Sequence, residues 1–519
     1  MRLLRQHWLF ATILALAIML RALILLGYSV IWFEDSFEYV GVAQRMQPYA
    51  VRPSGYSLFL WLLEPLHSFT FVTLLQHLMG LAMGVMVYAL VLRRASGLRR
   101  ELAALAAAPV LLDVYQMFFE HTILSDVLFS FLVTTAVTVL LWRANPSLVS
   151  VAVAGGLLAA AAITRSIGLA LLPILAYYLF RSGWRPLCVA LITVLLPLGG
   201  YGFWYASWHG TFGLNGGGGV WLWARTMPFA DCDRIRPSGD ESLLCPTQAL
   251  GHRPASPYFI WSDWSPLRRV PGYTISARAD LFHPGLNKLS GDFAVHAILS
   301  QPVDYLGTVL KDLNQTLNWK RGPNPVGSVI GFNRYAFPNV VDPLPDEVRI
   351  PGATIHQDLT AYEQGGVSTT FHEPAASIMR GYQGYFFVPG TFLGVLAIGA
   401  CCLYVRVRMS GAGRQAARKA VLPLGVALAL IIGPIAVTSY DSRYWLPAIP
   451  MLCVALALAL DAGTTSLGWR QLLLPGGSGR NTRHKVATRA EASVVRRHDR
   501  VGTSRSNGGI GGIGAGLAR

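Results

Sequence analysis

The chain repeatedly presents apolar runs long enough to cross the roughly 30 Å hydrocarbon core of a bilayer. They fall at residues 8–28, 71–92, 102–118, 124–142, 148–163, 167–180, 186–205, 385–405, 421–437 and 445–460. Lipid offers no partner to a backbone N–H or C=O, so such runs fold as helices, which satisfy their polar groups internally. The expected fold class is an all-α polytopic membrane protein with about ten transmembrane helices. Only 13% of the 519 residues are charged, against about 25% in soluble domains, which excludes a chain of ordinary soluble domains. The first run is too long for a cleaved signal peptide and no small-residue cleavage site follows it, so it reads as a resident span.

The formal net charge of +16 resembles a nucleic-acid signal, but its distribution follows membrane topology. Lys and Arg resist translocation, so short basic connections are cytoplasmic. The basic stretches are 2–5, 93–100, 143, 181–185 and 406–419. With the N-terminus inside, all of them fall on the cytoplasmic side, and nucleic acid is excluded as a partner. The tail at 462–519 is rich in Gly and Arg and poor in apolar residues. It reads as a disordered basic cytoplasmic segment able to touch anionic lipid.

This topology divides the chain into four parts. An N-terminal transmembrane module covers 1–206 and carries a first outer loop at 29–70. A large, mixed extracytoplasmic loop follows at 207–384, between the seventh and eighth helices, then C-terminal transmembrane helices at 385–461 and the tail. Alanine, leucine, glycine and arginine bias suits a high-GC bacterium, so the membrane is read as its plasma membrane. Cys232 and Cys245 lie in the large loop, where an oxidising exterior favours a disulfide between them. Cys188, Cys401, Cys402 and Cys453 lie in or beside spans and read as packing residues. The glycine run at 216–219 has no strand–helix context and reads as a flexible connection rather than a phosphate cradle.

Isolated charges in outer segments carry the chemistry. Glu34, Asp35 and Glu38 cluster just after the first span, and helical spacing puts Asp35, Glu38 and Tyr39 on one face, with Glu34 on the opposite one. Arg52 and Tyr56 begin a second short segment. Glu120, His121 and Asp126 surround a short outer turn, Arg165 ends another span, and Arg443 and Tyr444 precede the last. Arginine forks bind phosphate in a bidentate manner. A carboxylate beside a bound phosphate can serve as general base to an incoming hydroxyl. Taken singly, each arginine is equally a headgroup anchor or half of an ion pair, such as Asp441 with Arg443; the joint pattern points to a site. Arg21 and Asp113 are conspicuous charges within spans. Arg21 can snorkel outward as an anchor, and Asp113 can line the site cavity.

These motifs resemble those of the GT-C class of membrane glycosyltransferases, in particular bacterial relatives of the dolichyl-phosphate-mannose protein mannosyltransferases and of the lipid A aminoarabinose transferase. The matching segments are 35–43 (Asp-Ser-Phe-Glu-Tyr-Val-Gly-Val-Ala), 52–56 (Arg-Pro-Ser-Gly-Tyr), 120–126, 164–168 and 443–447. Residues 294–319 resemble the amphipathic outer helix of that class. The resemblance implies a GT-C-like fold and a sugar donor linked to polyprenyl phosphate. It also implies an extracytoplasmic acceptor, whether envelope glycan, lipid or protein. It places the catalytic acid at Asp35, although Ser36 stands where many members have Glu. Glu38, Tyr39, Arg52, Tyr56, Glu120, His121, Asp126, Arg165, Arg443 and Tyr444 are then the candidate substrate-binding residues. Which of Glu120 and Asp126 is the second acid stays open, and with it a divalent metal. The reaction expected is hexosyl or pentosyl transfer with inversion. A transporter or flippase of envelope precursors and a non-catalytic cell-wall assembly protein are the alternatives. Paired repeats, which transporters tend to show, are not evident.

Overall fold

A computed structural model describes residues 5–95, 98–319, 335–341, 343–409 and 414–466. The tail beyond 466, part of the large loop (320–334) and parts of the basic stretches at 2–4 and 410–413 lie outside the described residues. The first span is helix α1 (Trp8–Gly27). The first loop folds into α2 (Glu34–Arg45) and α3 (Gly55–Leu63). Then come α4 (Phe69–Arg94), α5 (Arg100–Leu112), α6 (Val114–Glu120), α7 (Ser125–Leu141), α8 (Leu148–Thr164), α9 (Leu172–Phe180) and α10 (Trp184–His209). The large loop supplies α11 (Gly218–Thr226), α12 (Cys232–Ile235), α13 (Ser256–Trp261), α14 (Pro284–Ser300), α15 (Pro302–Thr316), α16 (Ile355–Glu363) and α17 (Ala375–Gln383). The chain closes with α18 (Gly390–Met409), α19 (Arg414–Val437) and α20 (Ala448–Ser466).

Five helices are long and apolar enough to cross a membrane, or six when the bent pair α5–α6 counts as one span. Shorter apolar helices occupy the remaining runs at Ser125–Leu141, Leu148–Thr164, Ser166–Phe180 and Ala448–Gly463. The bend of 51° between α5 and α6 has a local cause. Asp113 leaves helical geometry, and its Oδ1 accepts from Tyr115 N at 3.4 Å and Val388 N at 3.0 Å. Asp113 therefore caps a broken helix and does not line the pocket described below, contrary to expectation. Arg21 also departs from expectation. It is 2% exposed and points into the bundle, because a buried carboxylate at Glu120 meets it there.

Among the described residues the large loop is helix and coil, not mixed. β-Pairing is confined to the isolated bridges Tyr28–Phe371 and Ile31–Thr122. Its first half gathers around its own apolar cluster, centred on Trp223, Phe259, Phe282 and Phe293, with Val42, Tyr49 and Val51 of the first loop. Its second half, with Tyr335, Leu359, Tyr362 and Met379, packs into the main helical core. Cys232 and Cys245 are joined in a disulfide closing a 13-residue separation. Cys453 is buried as a packing residue, but Cys188 and Cys402 are exposed on helix surfaces. The glycine run is not a flexible connection: Gly216 N donates to Ala50 O, and Gly219 N and Val220 N both donate to Asn287 Oδ1. The run therefore ties the first loop to α11 and α14.

Residues 294–319 form parts of two helices, because Pro302 starts a new one after Gln301. In α15, Val303, Leu306 and Leu310 are exposed and only Thr316 is buried.

Candidate functional site

α2 brings the first acidic cluster into position. It begins at Glu34, with Ser36 Oγ accepting from Phe33 N at 2.9 Å. Asp35 therefore sits in the first turn without serving as the cap, and the positive end of the helix dipole favours its carboxylate. Across from it, α3 starts close against α8: a Cβ on Gly55 would lie 2.6 Å from Ile163 O. That close approach holds Arg52, three residues earlier, beside the C-terminus of α8, where Arg165 emerges.

The result is a pocket of about 520 Å³ at the loop end of the bundle. Asp35 lies between two guanidiniums: Arg52 Nη1 is 2.8 Å from Oδ1 and Arg443 Nη2 is 3.0 Å from Oδ2. Arg52 Nη2 also reaches Glu38 Oε2 at 3.0 Å. Arg165 lines the pocket and pairs with Asp126 at 2.6 Å. Tyr39 OH and Ser125 Oγ share a hydrogen bond of 2.9 Å. Arg443 Nε lies 3.5 Å from Asp441 Oδ2, so the Asp441 pair coexists with the Asp35 pair. Aromatic faces flank the cations: Tyr39 beside Arg52, Tyr444 beside Arg165 and Arg443, and Phe33 beside Arg443. The lining also includes the apolar Ile167, Leu169, Ala170, Gly433, Pro434 and Val437.

The structure separates the predicted residues into three places. Asp35, Tyr39, Arg52, Arg165, Arg443 and Tyr444 line the pocket. Glu38, Tyr56 and Asp126 stand behind it. Glu38 is 1% exposed and holds Arg52, Asp126 holds Arg165, and the Tyr56 ring packs against Tyr39 at 5.0 Å. Glu120 and His121 belong to a different, fully buried knot. Arg21 forks onto both Glu120 oxygens at 2.8 Å, His77 Nδ1 lies 2.9 Å from Oε2, and His77 Nε2 lies 3.2 Å from His121 Nδ1. Of the two acids left open by the sequence, Asp126 is thus the one next to the pocket. Glu34 does not point away either; it lines the pocket and pairs with Arg278 at 3.0 Å. Consecutive positions on α2 point about 100° apart, so Glu34 and Asp35 meet different arginines around the same opening.

Sequence reasoning missed the far wall. Trp221, Trp261 and Arg278 line it, with Arg278 stacked 5.4 Å from the Trp261 ring centroid. They are distant in sequence from the acidic cluster and carried no motif; the density of tryptophan in 221–264 was the available signal.

The two carboxyls of α2 are driven apart electrostatically. Burial pushes Asp35 up, but Arg52 and Arg443 outweigh it and hold the group well below the usual carboxylate range. Burial also pushes Glu38 up, and there it prevails, because one guanidinium is shared and the Asp35 charge opposes ionisation. Of the two, Asp35 is therefore the carboxylate held ionised facing the pocket near neutral pH.

Among the described residues, no group of three or more His, Cys, Asp or Glu side chains is placed to hold a metal ion. The donor chemistry agrees. Asp35, Glu38, Asp126 and Asp441 each already face an arginine, and those cations oppose a second positive charge. The pocket fits an anion better than a divalent metal.

No protein-family model and no curated protein matches the chain. Solved structures do align with it. The apo oligosaccharyltransferase of Archaeoglobus fulgidus aligns over 94% of this chain and 55% of its own, at 13% identity and TM-score 0.39. Oligosaccharyltransferase AglB from the same organism, solved with an inhibitory peptide and a dolichol-phosphate, covers 95% and 55% at 11% identity and TM-score 0.38. ArnT from Cupriavidus metallidurans bound to undecaprenyl phosphate covers 87% and 77% at 11% identity and TM-score 0.27. The chain spans just over half the length of the oligosaccharyltransferases it aligns with. Likenesses this distant leave function to be argued from the pocket.

Proposed function

We propose that the chain is a membrane glycosyltransferase that moves a sugar from a polyprenyl-phosphate donor to an acceptor outside the cytoplasm. One observation carries the reading: a carboxylate gripped by two arginines in a pocket that is also lined by apolar side chains. A lipid-linked phosphate needs both surfaces, an apolar wall for its chain and guanidinium forks for its charge. In the structure the forks face Asp35. A donor phosphate competes for Arg443 and Arg52, shares their hydrogen bonds and so frees Asp35 to regain basicity. Binding of the donor then switches on the base.

In the step proposed, the acceptor hydroxyl attacks the anomeric carbon and a new C–O bond forms. The bond from that carbon to the phosphate oxygen breaks, and its electron pair stays on the phosphate, held by Arg443 with Arg52 or Arg165. Asp35 takes the hydroxyl proton. A single in-line displacement inverts the anomeric centre. Asp126 fixes Arg165 and Glu38 fixes Arg52, so both act as positioning residues.

The test is a transfer assay in proteoliposomes with a panel of polyprenyl-phosphate sugars. The proposal expects a glycosylated acceptor and free polyprenyl phosphate from one donor, and loss of both products in Arg443→Gln. A flippase would instead carry the intact donor across the bilayer with its sugar–phosphate bond unbroken, and that outcome would reject transfer.

A further inference from the structure

At the other end of the bundle, the short basic connections converge on a second cavity, of about 1400 Å³. Arg94 ends α4, Arg181 follows α9, Arg408 lies in the last turn of α18, and Arg418 and Lys419 lie near the start of α19; all line it, beside Tyr404. Among the described residues no Asp or Glu lines it. Lys419 and Val437 line the two cavities from opposite ends of α19. At 1.5 Å per residue they stand about 27 Å apart along the helix, close to the thickness of a bilayer core.

The bland account of these cations is compensation of helix dipoles. The C-termini of α4, α7, α9 and α18 reach this cavity, each worth about half a negative charge. That balances roughly two of five positive charges. Lys419 is further occupied by Arg94 O at 3.0 Å and by Asp461 at 4.0 Å. Of the remainder, Arg94 Nε is buried without a hydrogen-bond partner among the described residues. Arg408 Nη1 donates to the Tyr404 hydroxyl at 3.0 Å, a neutral partner that leaves its charge uncompensated.

We propose that this cavity binds the headgroup of an anionic phospholipid, with Arg94, Arg408 and Arg418 gripping its phosphate. A basic recess between helix ends at the depth of the headgroups is what phosphate recognition at a membrane surface requires. The volume far exceeds that of one inorganic ion and suits a bulky headgroup with its glycerol. The site is separate from the Asp35 pocket and does not depend on the activity proposed there.

Native mass spectrometry of the delipidated protein in neutral detergent tests this, with phosphatidylcholine, phosphatidylglycerol, diphosphatidylglycerol and inorganic phosphate as probes. The proposal expects one anionic lipid to survive collisional activation that strips phosphatidylcholine. It also expects retention to drop at least tenfold in Arg408→Gln/Arg418→Gln, two surface positions chosen so that folding is kept, and further in Arg94→Gln. Arg443→Gln, in the other pocket, should leave retention unchanged. Equal retention of zwitterionic and anionic lipids would overturn the proposal, as would loss in Arg443→Gln but not in the double variant. Binding of inorganic phosphate without any anionic lipid would also overturn it, assigning the cavity to a soluble anion.

Discussion

Asp35→Asn is the substitution that weighs most on the proposed site. Asparagine keeps the shape of the side chain but carries no charge, and its amide hydrogens face a guanidinium. Two charge-assisted contacts, at 2.8 Å to Arg52 and 3.0 Å to Arg443, lose their anion. A hydrogen bond to a charged group is worth about 1.5–3 kcal/mol net, and the retained carbonyl keeps part of one, so stability should fall by about 2–3 kcal/mol. Loss of a general base adds a rate penalty of about 10²–10⁴, or roughly 3–5 kcal/mol of barrier. The two effects separate if transfer in proteoliposomes is measured well below the melting temperature of the variant. Asp358→Asn is the control: it breaks a comparable pair on α2, with Arg45 at 2.8 and 3.1 Å, away from the pocket. We expect both variants to melt earlier and only Asp35→Asn to lose transfer. If Asp35→Asn transfers within about threefold of wild type, Asp35 is not the base. If Asp358→Asn loses as much activity, the loss is structural and the assignment fails equally.

Arg443→Lys keeps the charge but not the fork, so donor KM should rise about 10- to 100-fold with a smaller change in kcat; an unchanged KM would remove Arg443 from phosphate binding. Gly80→Ala should be severely destabilising, by roughly 3–5 kcal/mol, because its Cβ would lie 1.7 Å from Glu120 Oε1 and force that carboxylate off Arg21. A melting temperature within 2 °C of wild type (about 1 kcal/mol or less) would refute the knot as a structural element. The stability contributed by Asp35 has a defined pH range. Its carboxyl titrates lower when folded than the ordinary value of about 3.9, so the contribution is full above that value and is lost as pH falls through the folded one. The stability gap between wild type and Asp35→Asn should stay flat from about pH 8 to 5 and close only below about pH 4; closure near neutrality would contradict the pairing. Cys232→Ser should lower the stability of the segment around α11–α14 by about 3 kcal/mol on chain-entropy grounds for a loop of this length, and quantitative alkylation of both thiols without reduction would show that the bridge is absent.

Much of the architecture was legible along the chain because lipid imposes one rule on every span: an apolar run without polar partners becomes a helix. The helical runs and the Cys232–Cys245 pairing follow from such local patterns. The clustering of Asp35 and Tyr39 with Arg52, Arg165 and Arg443 was also anticipated, since isolated charges at helix ends have few places to go. What the sequence could not decide was which charge faces which. Glu120 and Asp126 sit six residues apart in one motif, yet Arg21 draws the first into a buried knot and Arg165 draws the second to the pocket. Glu34 is a neighbour of Asp35 and was assigned to the opposite face, but Arg278, 244 residues away, holds it on another wall of the same opening. Helical periodicity fixes directions around one axis; the partner waiting in each direction comes from another helix. A buried charge goes where a counter-charge removes its desolvation cost, and that choice belongs to the tertiary fold.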